Sequence, residues 1–145
     1  MVWSLDNSLG FLMTRAARSM KRVLDAKLVE HRITSAQYIV LARLWEGDGI
    51  SITDLCVRLY LDNPTITGIV DRMERDGLLE RERDRDDRRV VNVYLTEKGR
   101  KLRQAVGSFA EETDAVAWEQ FTTSDKKAML DALNLIWKKM SESLD

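Results

Sequence analysis

Apolar residues recur at helical spacing over most of this chain, and the pattern turns strand-like only once. From about Asn7 to Glu30, the residues Leu9, Leu12, Met13, Ala16, Met20, Val23, Leu24 and Leu28 share one stripe. Arg15, Arg18, Lys21 and Arg22 fall on the other side, which predicts one long amphipathic helix. Thr34 and Gln37 have the spacing of a capping box and open a second helix, with Tyr38, Leu41, Ala42 and Trp45 facing inward and Gly47 to Gly49 as its stop. Ser51, with Asp54 three positions on, caps a short third helix through Leu55, Cys56 and Leu59. Asp62 and Asn63 cap a fourth, with Pro64 at its first position, where the missing N–H costs nothing. Ile66, Ile69, Val70 and Met73 give that helix one apolar face. The opposite face carries Pro64, Gly68, Asp71, Arg72 and Arg75, with Thr65 and Thr67 at its edges.

Gly77 ends the fourth helix, and Leu79 to Leu95 reads as two strands around a polar tip, Asp86-Asp87-Arg88-Arg89. In the first arm Arg81, Arg83 and Arg85 alternate with Glu80, Glu82 and Asp84, so an extended backbone sends the arginines to one side. The second arm, Val90 to Leu95, is β-branched and aromatic, as strands prefer. Thr96 then caps a helix running to about Gln120, and Thr122 or Thr123 caps another to about Ser143. The last helix carries Met129, Leu133, Ile136, Trp137, Met140 and Leu144. That is more apolar surface than one small domain covers, which implies a partner chain.

A helix, a turn, a second helix and a charged hairpin in succession between Ser51 and Gly99 form the layout of a winged helix-turn-helix, a DNA-reading arrangement. The hairpin resembles that of the multiple-antibiotic-resistance regulator (MarR) family, whose wing reads roughly Asp-x-x-Asp-x-Arg and closes with Leu-Thr-x-x-Gly. Asp84, Asp87, Arg89, Leu95, Thr96 and Gly99 stand in those positions, and Ile33-Thr34-Ser35-Ala36-Gln37 is similar to the family's Leu-Thr-x-x-Gln. The resemblance spans nearly the whole chain. It implies a mainly α fold, a winged helix-turn-helix with a small two- or three-stranded wing and long N- and C-terminal dimerisation helices. Residues 1–33 would form the N-terminal dimerisation helix, 34–99 the DNA-binding lobe and 100–145 the C-terminal dimerisation helices, as one interwoven domain of a homodimer.

Composition narrows the alternatives. No apolar run approaches the roughly 18 residues of a membrane span and no signal peptide is evident, so a cytoplasmic protein with no membrane partner is expected. One cysteine and one histidine offer no internal disulfide and no conventional structural zinc site, and no cofactor or metal is expected. No glycine-rich phosphate loop, carboxylate pair or nucleophile–base spacing points to an enzyme. The net charge of −1 argues mildly against nucleic acid, but counterion release depends on the cations that touch phosphate.

The resemblance implies a homodimeric, sequence-specific regulator of transcription on a pseudo-palindromic operator in double-stranded DNA, a repressor released by a small aromatic or anionic effector. Asn63, Thr65 and Thr67 lie where hydroxyl and amide groups reach base edges or phosphates, although capping explains Asn63 equally well. The resemblance places Arg89 in the minor groove with Asp87 orienting it, and Arg72, Arg83, Arg85 and Arg88 are expected at phosphates. Asp71 either braces Arg89 or faces solvent. Gly68, where many relatives carry a larger polar residue, either admits close DNA approach or removes one contact. Trp3, Met13, Arg15, Arg18, Tyr38 and Trp45 are the candidate effector pocket, each with a plain core or surface reading beside it. His31 is expected at the surface. A protein-binding winged helix and a redox regulator acting through Cys56 are the alternatives.

Overall fold

The computed structural model describes residues 2–145. In order come α1 (Leu9–Leu28), α2 (Ser35–Glu46), β1 (Ile50–Ser51), α3 (Ile52–Leu59), α4 (Asn63–Arg75), β2 (Leu79–Arg83) and β3 (Val91–Leu95). They are followed by α5 (Glu97–Val106), α6 (Phe109–Trp118) and α7 (Thr123–Glu142). The chain divides into two compact units, one reaching Ala110 and the other Glu111–Asp145.

The core of the first unit assembles from the apolar faces predicted above. Ile66, Ile69, Val70 and Met73 of α4 are all buried, against Tyr38, Leu41 and Leu44 of α2, Leu55 of α3 and Leu28 at the end of α1. The predicted caps form. Thr34 and Gln37 make both halves of a capping box, and the Ser51 hydroxyl accepts the Asp54 N–H. Asp62 alone is the N-cap of α4, accepting from Thr65 N, so Asn63 is its first helical residue and Pro64 its second, one place later than expected. Between α3 and α4 the chain reverses at Tyr60, held in the left-handed region at φ 55°.

The sheet is antiparallel in the order β1-β3-β2, so the wing has three strands. Ile50 pairs with Val93 and Ser51 with Asn92, while Leu79 pairs with Leu95 and Arg83 with Val91. The two-residue β1 runs straight into α3, too short for any alternation to reveal it.

The helix expected from Thr96 to Gln120 is two helices. Its amide ladder stops at Gly107, whose carbonyl accepts the Tyr38 hydroxyl at 2.9 Å; the same phenol oxygen accepts from Ala110 N at 3.4 Å. A buried phenol thus satisfies backbone groups at the break. His31, expected at the surface, is half-buried with its ring edge against Phe109, centroids 5.6 Å apart.

In the second unit, Thr122 rather than Thr123 caps α7, in a box with Asp125. None of the twenty residues of α7 is buried, and Met129, Leu130, Leu133, Leu135, Trp137 and Met140 are exposed. The stripe of α1 is similarly open at Leu9, Met20 and Val23.

Candidate nucleic-acid interface

The motif Leu95-Thr96-x-x-Gly99 joins the wing to the rest of the first unit. Leu95 is buried in the sheet, and the Thr96 hydroxyl donates to Gly77 O at 2.6 Å while accepting from Gly99 N at 3.1 Å. A Cβ on Gly99 would lie far inside contact distance of the Leu78 carbonyl, so only glycine fits there. The Gly99 carbonyl in turn accepts Trp45 Nε1–H at 2.9 Å.

The wing tip is built on two carboxylates. Asp84 accepts Asp86 N and Asp87 N on one oxygen, at 2.9 and 3.0 Å, and Asn92 Nδ2 on the other at 3.0 Å. Asp87 accepts Arg89 N and Nε on Oδ1, both at 3.1 Å, and Nη2 on Oδ2 at 3.2 Å. Both acids are held below the usual carboxylate range. For Asp84 the main cause is the Asp87 N–H, then Asn92 and the Asp86 N–H; for Asp87 it is the Arg89 side chain, then the Arg89 N–H. Arg89 is nevertheless 91% exposed, its fork oriented but available. Arg83 Nη1 donates to the Arg88 carbonyl at 2.7 Å, closing the tip from the other strand.

On α4, Asn63 and Thr65 are exposed and Thr67 is half-buried, its hydroxyl donating to Asn63 Oδ1 at 3.0 Å. A Cβ added at Gly68 would meet nothing closer than Arg72 Nη1 at 4.0 Å, so internal packing does not require glycine at this position. Asp71 neither braces Arg89 nor stands free in solvent: it pairs with Arg81 at 2.6 Å. The arginine side expected along the first arm is thus partly neutralised, because Arg81 meets the acids of α4.

An open cleft of about 650 Å³ gathers Asn63 and Thr67 of α4, Arg81 and Arg83 of β2, Arg89 at the tip, and Ser51 to Thr53. Four of the sequence-predicted DNA residues, Asn63, Thr67, Arg83 and Arg89, therefore share one concave wall. Arg72, Arg85 and Arg88 are exposed outside it, with Thr65 on the open first turn of α4 and Asp87 beneath Arg89.

The six candidate effector residues are not drawn together in this way. Tyr38 and Trp45 stack edge-to-face, centroids 5.9 Å apart, with their polar atoms bonded to Gly107 and Gly99. Trp3 is 74% exposed, Arg15 lies over the Phe11 ring on α1, Met13 is half-buried and Arg18 exposed. Cys56 is half-buried and packs against the core. Among the described residues no cluster of three His, Cys, Asp or Glu could hold a metal ion, and no helix is long and apolar enough to cross a membrane. Sequence reasoning missed Arg81 as a bridging residue. The signal that could have found it was Asp71, left between Arg89 and solvent, with a second acid, Glu74, three positions further along α4.

Two helices in a helix-turn-helix, followed by a hairpin whose tip presents an oriented arginine beside the second helix, define a winged helix-turn-helix protein. Residues 33–91 match the MarR family. The chain is 36% identical over 130 residues to the HTH-type transcriptional regulator TtmR of Methylorubrum extorquens (strain PA1). That alignment spans 90% of this chain and 66% of the relative, just under two thirds of its length. It is 37% identical over 100 residues to the organic hydroperoxide resistance transcriptional regulator of Bacillus subtilis (strain 168), covering 69% of this chain and 68% of that one. Among solved structures, MepR of S. aureus in complex with DNA superposes with TM-score 0.86 and 27% identity, over 91% of this chain and 98% of that one. CouR of Rhodococcus jostii RHA1, bound to p-coumaroyl-CoA, superposes with TM-score 0.79 and 25% identity, over 93% and 95%. The chain belongs to the MarR family.

Proposed function

We propose that this protein is a homodimeric transcriptional regulator that binds a pseudo-palindromic operator in double-stranded DNA. The observation that carries the reading is the pairing of an exposed α4 face with Arg89, held by two fork nitrogens on Asp87 yet 91% exposed, across one cleft. An arginine so oriented suits the narrow minor groove, whose negative potential rewards an inserted cation. The α4 face, with Asn63, Thr65 and Thr67, suits the adjacent major groove, and Arg72, Arg83, Arg85 and Arg88 supply phosphate contacts. MepR, seen with DNA, supports the same use of the fold.

The apolar stripes left open on α1 and α7 support a second copy of this chain as the partner that covers them, with 1–33 and 100–145 as the dimerisation segments. A dimer sets its two reading heads about 34 Å apart, one turn of the duplex. Binding of p-coumaroyl-CoA by CouR supports a small aromatic or anionic effector that releases a repressor here. Selection of genomic fragments on the purified protein, followed by titration at several salt concentrations, tests the reading. A shared inverted repeat bound with a steep salt dependence is expected, and the absence of any enriched sequence would remove it.

A further inference from the structure

Arg81 stands in the wall of the cleft with Asn63, Thr67 and Arg89, yet its guanidinium is already engaged. Nη1 lies 2.6 Å from Asp71 Oδ1, and Nη2 donates to Glu74 Oε1 at 2.9 Å. The backbone N–H of Arg81 donates to the other Glu74 oxygen at 3.0 Å. Asp71 and Glu74 are three residues apart and so neighbours on one side of α4. The planar fork of arginine is shaped to take two carboxylates at once, which lysine is not.

Packing explains why such a clasp matters. Of the five residues of β2 only Leu79 is buried; Glu80 to Arg83 are exposed. Beyond Leu79 the outer strand is therefore held to the body by its ladder to β3 and by Arg81, and Arg89 lies further out on the same hairpin. Movement at β2 is carried outward to the tip. A phosphate approaching Arg81 would also have to displace two carboxylates, whereas Arg89 meets one and remains open.

We propose that Arg81 is a positioning residue for DNA recognition. By clasping Asp71 and Glu74 it sets the separation of wing and recognition helix, so that Arg89 reaches its groove while α4 sits in the next, and it supplies no phosphate charge itself. This rests on the DNA-binding reading above.

The test uses the full chain and the operator fragment selected from genomic DNA, with fluorescence anisotropy at several salt concentrations. Wild type is compared with Arg81→Gln, Arg89→Ala, the double variant, and Asp71→Asn combined with Glu74→Gln. Arg81→Gln is expected to weaken binding about tenfold with an unchanged slope of log Kd against log salt. In the Arg89→Ala background the same change costs less than about twofold, because the wing it positions no longer contributes. The Asp71→Asn, Glu74→Gln variant keeps Arg81 as a free cation and is expected to bind more weakly than wild type.

A slope lowered by about one unit in Arg81→Gln makes Arg81 a phosphate contact and overturns the proposal. So does a full loss that persists without Arg89, or tighter binding once the two acids are neutralised. Should Arg81→Gln fail to fold, the acid-neutralised variant decides the matter, since it retains the arginine. A wild type that enriches no DNA ends the parent reading and this one with it; a wild type that binds leaves Arg81 to be judged on its own.

Discussion

Arg89 reaches Asp87 through Nε and Nη2, at 3.1 and 3.2 Å, and through its own backbone N–H at 3.1 Å, while its side chain stays 91% exposed. An ion pair so exposed contributes little to folding. Its value is orientation. Arg89→Ala is expected to weaken operator binding by about 1 to 3 kcal/mol and to leave the unfolding midpoint nearly unchanged. Asp87→Ala should lose a smaller part of the same affinity, since the charge remains but its direction is free. Titration at fixed salt, with thermal unfolding alongside, checks both; unchanged affinity in Arg89→Ala would remove the wing from the interface.

Gly68 separates two explanations that the sequence leaves level. Open space at its Cβ means that alanine fits the free protein and should raise stability by up to about 1 kcal/mol through helix propensity. If the backbone approaches DNA closely here, Gly68→Ala gains in denaturant titration and loses in operator affinity. Equal affinity would show that Gly68 is one contact fewer and nothing more.

The clasp on α4 has a pH signature. The Glu74 carboxyl is held below its ordinary value of 4.5, first by the Arg81 side chain and then by the Arg81 N–H, against a burial effect that raises it. A folded-state pKa below the unfolded one means the stabilisation is fully present above the unfolded value and is lost as pH falls through the lower folded value. Glu74→Gln should therefore be less stable than wild type at pH 7, and the gap should narrow through the acid range below that ordinary value. A gap of constant size in denaturant titrations across that range would contradict the assignment.

The exposed residues Leu133 and Met140 sit on the open stripe of α7. Replacing both with glutamate places charge where a second copy of the chain would bury it, at a cost no exposed surface would show. Light scattering is expected to find a monomer or an aggregate in place of a dimer, together with loss of operator binding. A double variant that remains a dimer of normal affinity would refute the covered-stripe reading.

An effector that releases operator must bind the DNA-incompetent form better, since equal affinity for both forms shifts nothing. Linkage then makes operator weaken effector binding by the same factor. Salicylate, a small carboxylated aromatic, followed by tryptophan fluorescence with and without operator, provides the measurement. Coinciding affinities in the two titrations would show that this ligand is not a regulator.

Much of this protein follows from local pattern. The stripe of Ile66, Ile69, Val70 and Met73, the caps at Thr34, Ser51 and Thr96, and the charge alternation along β2 each express a preference within one turn or one strand, so neighbours in the chain suffice to read them. The Asp87 and Arg89 pairing was legible through the resemblance of the tip to the MarR wing, and the two contacts at 3.1 and 3.2 Å bear it out. What tertiary structure alone decided are meetings between distant residues. The buried Tyr38 hydroxyl finds its partner in the Gly107 carbonyl, sixty-nine positions away, where α5 gives way to α6. The two-residue β1 exists because β3 offers it a ladder. Arg81, one arginine among three in an alternating arm, differs from Arg83 and Arg85 only because α4 passes close enough to bring it two carboxylates, and no periodicity along the chain records that approach.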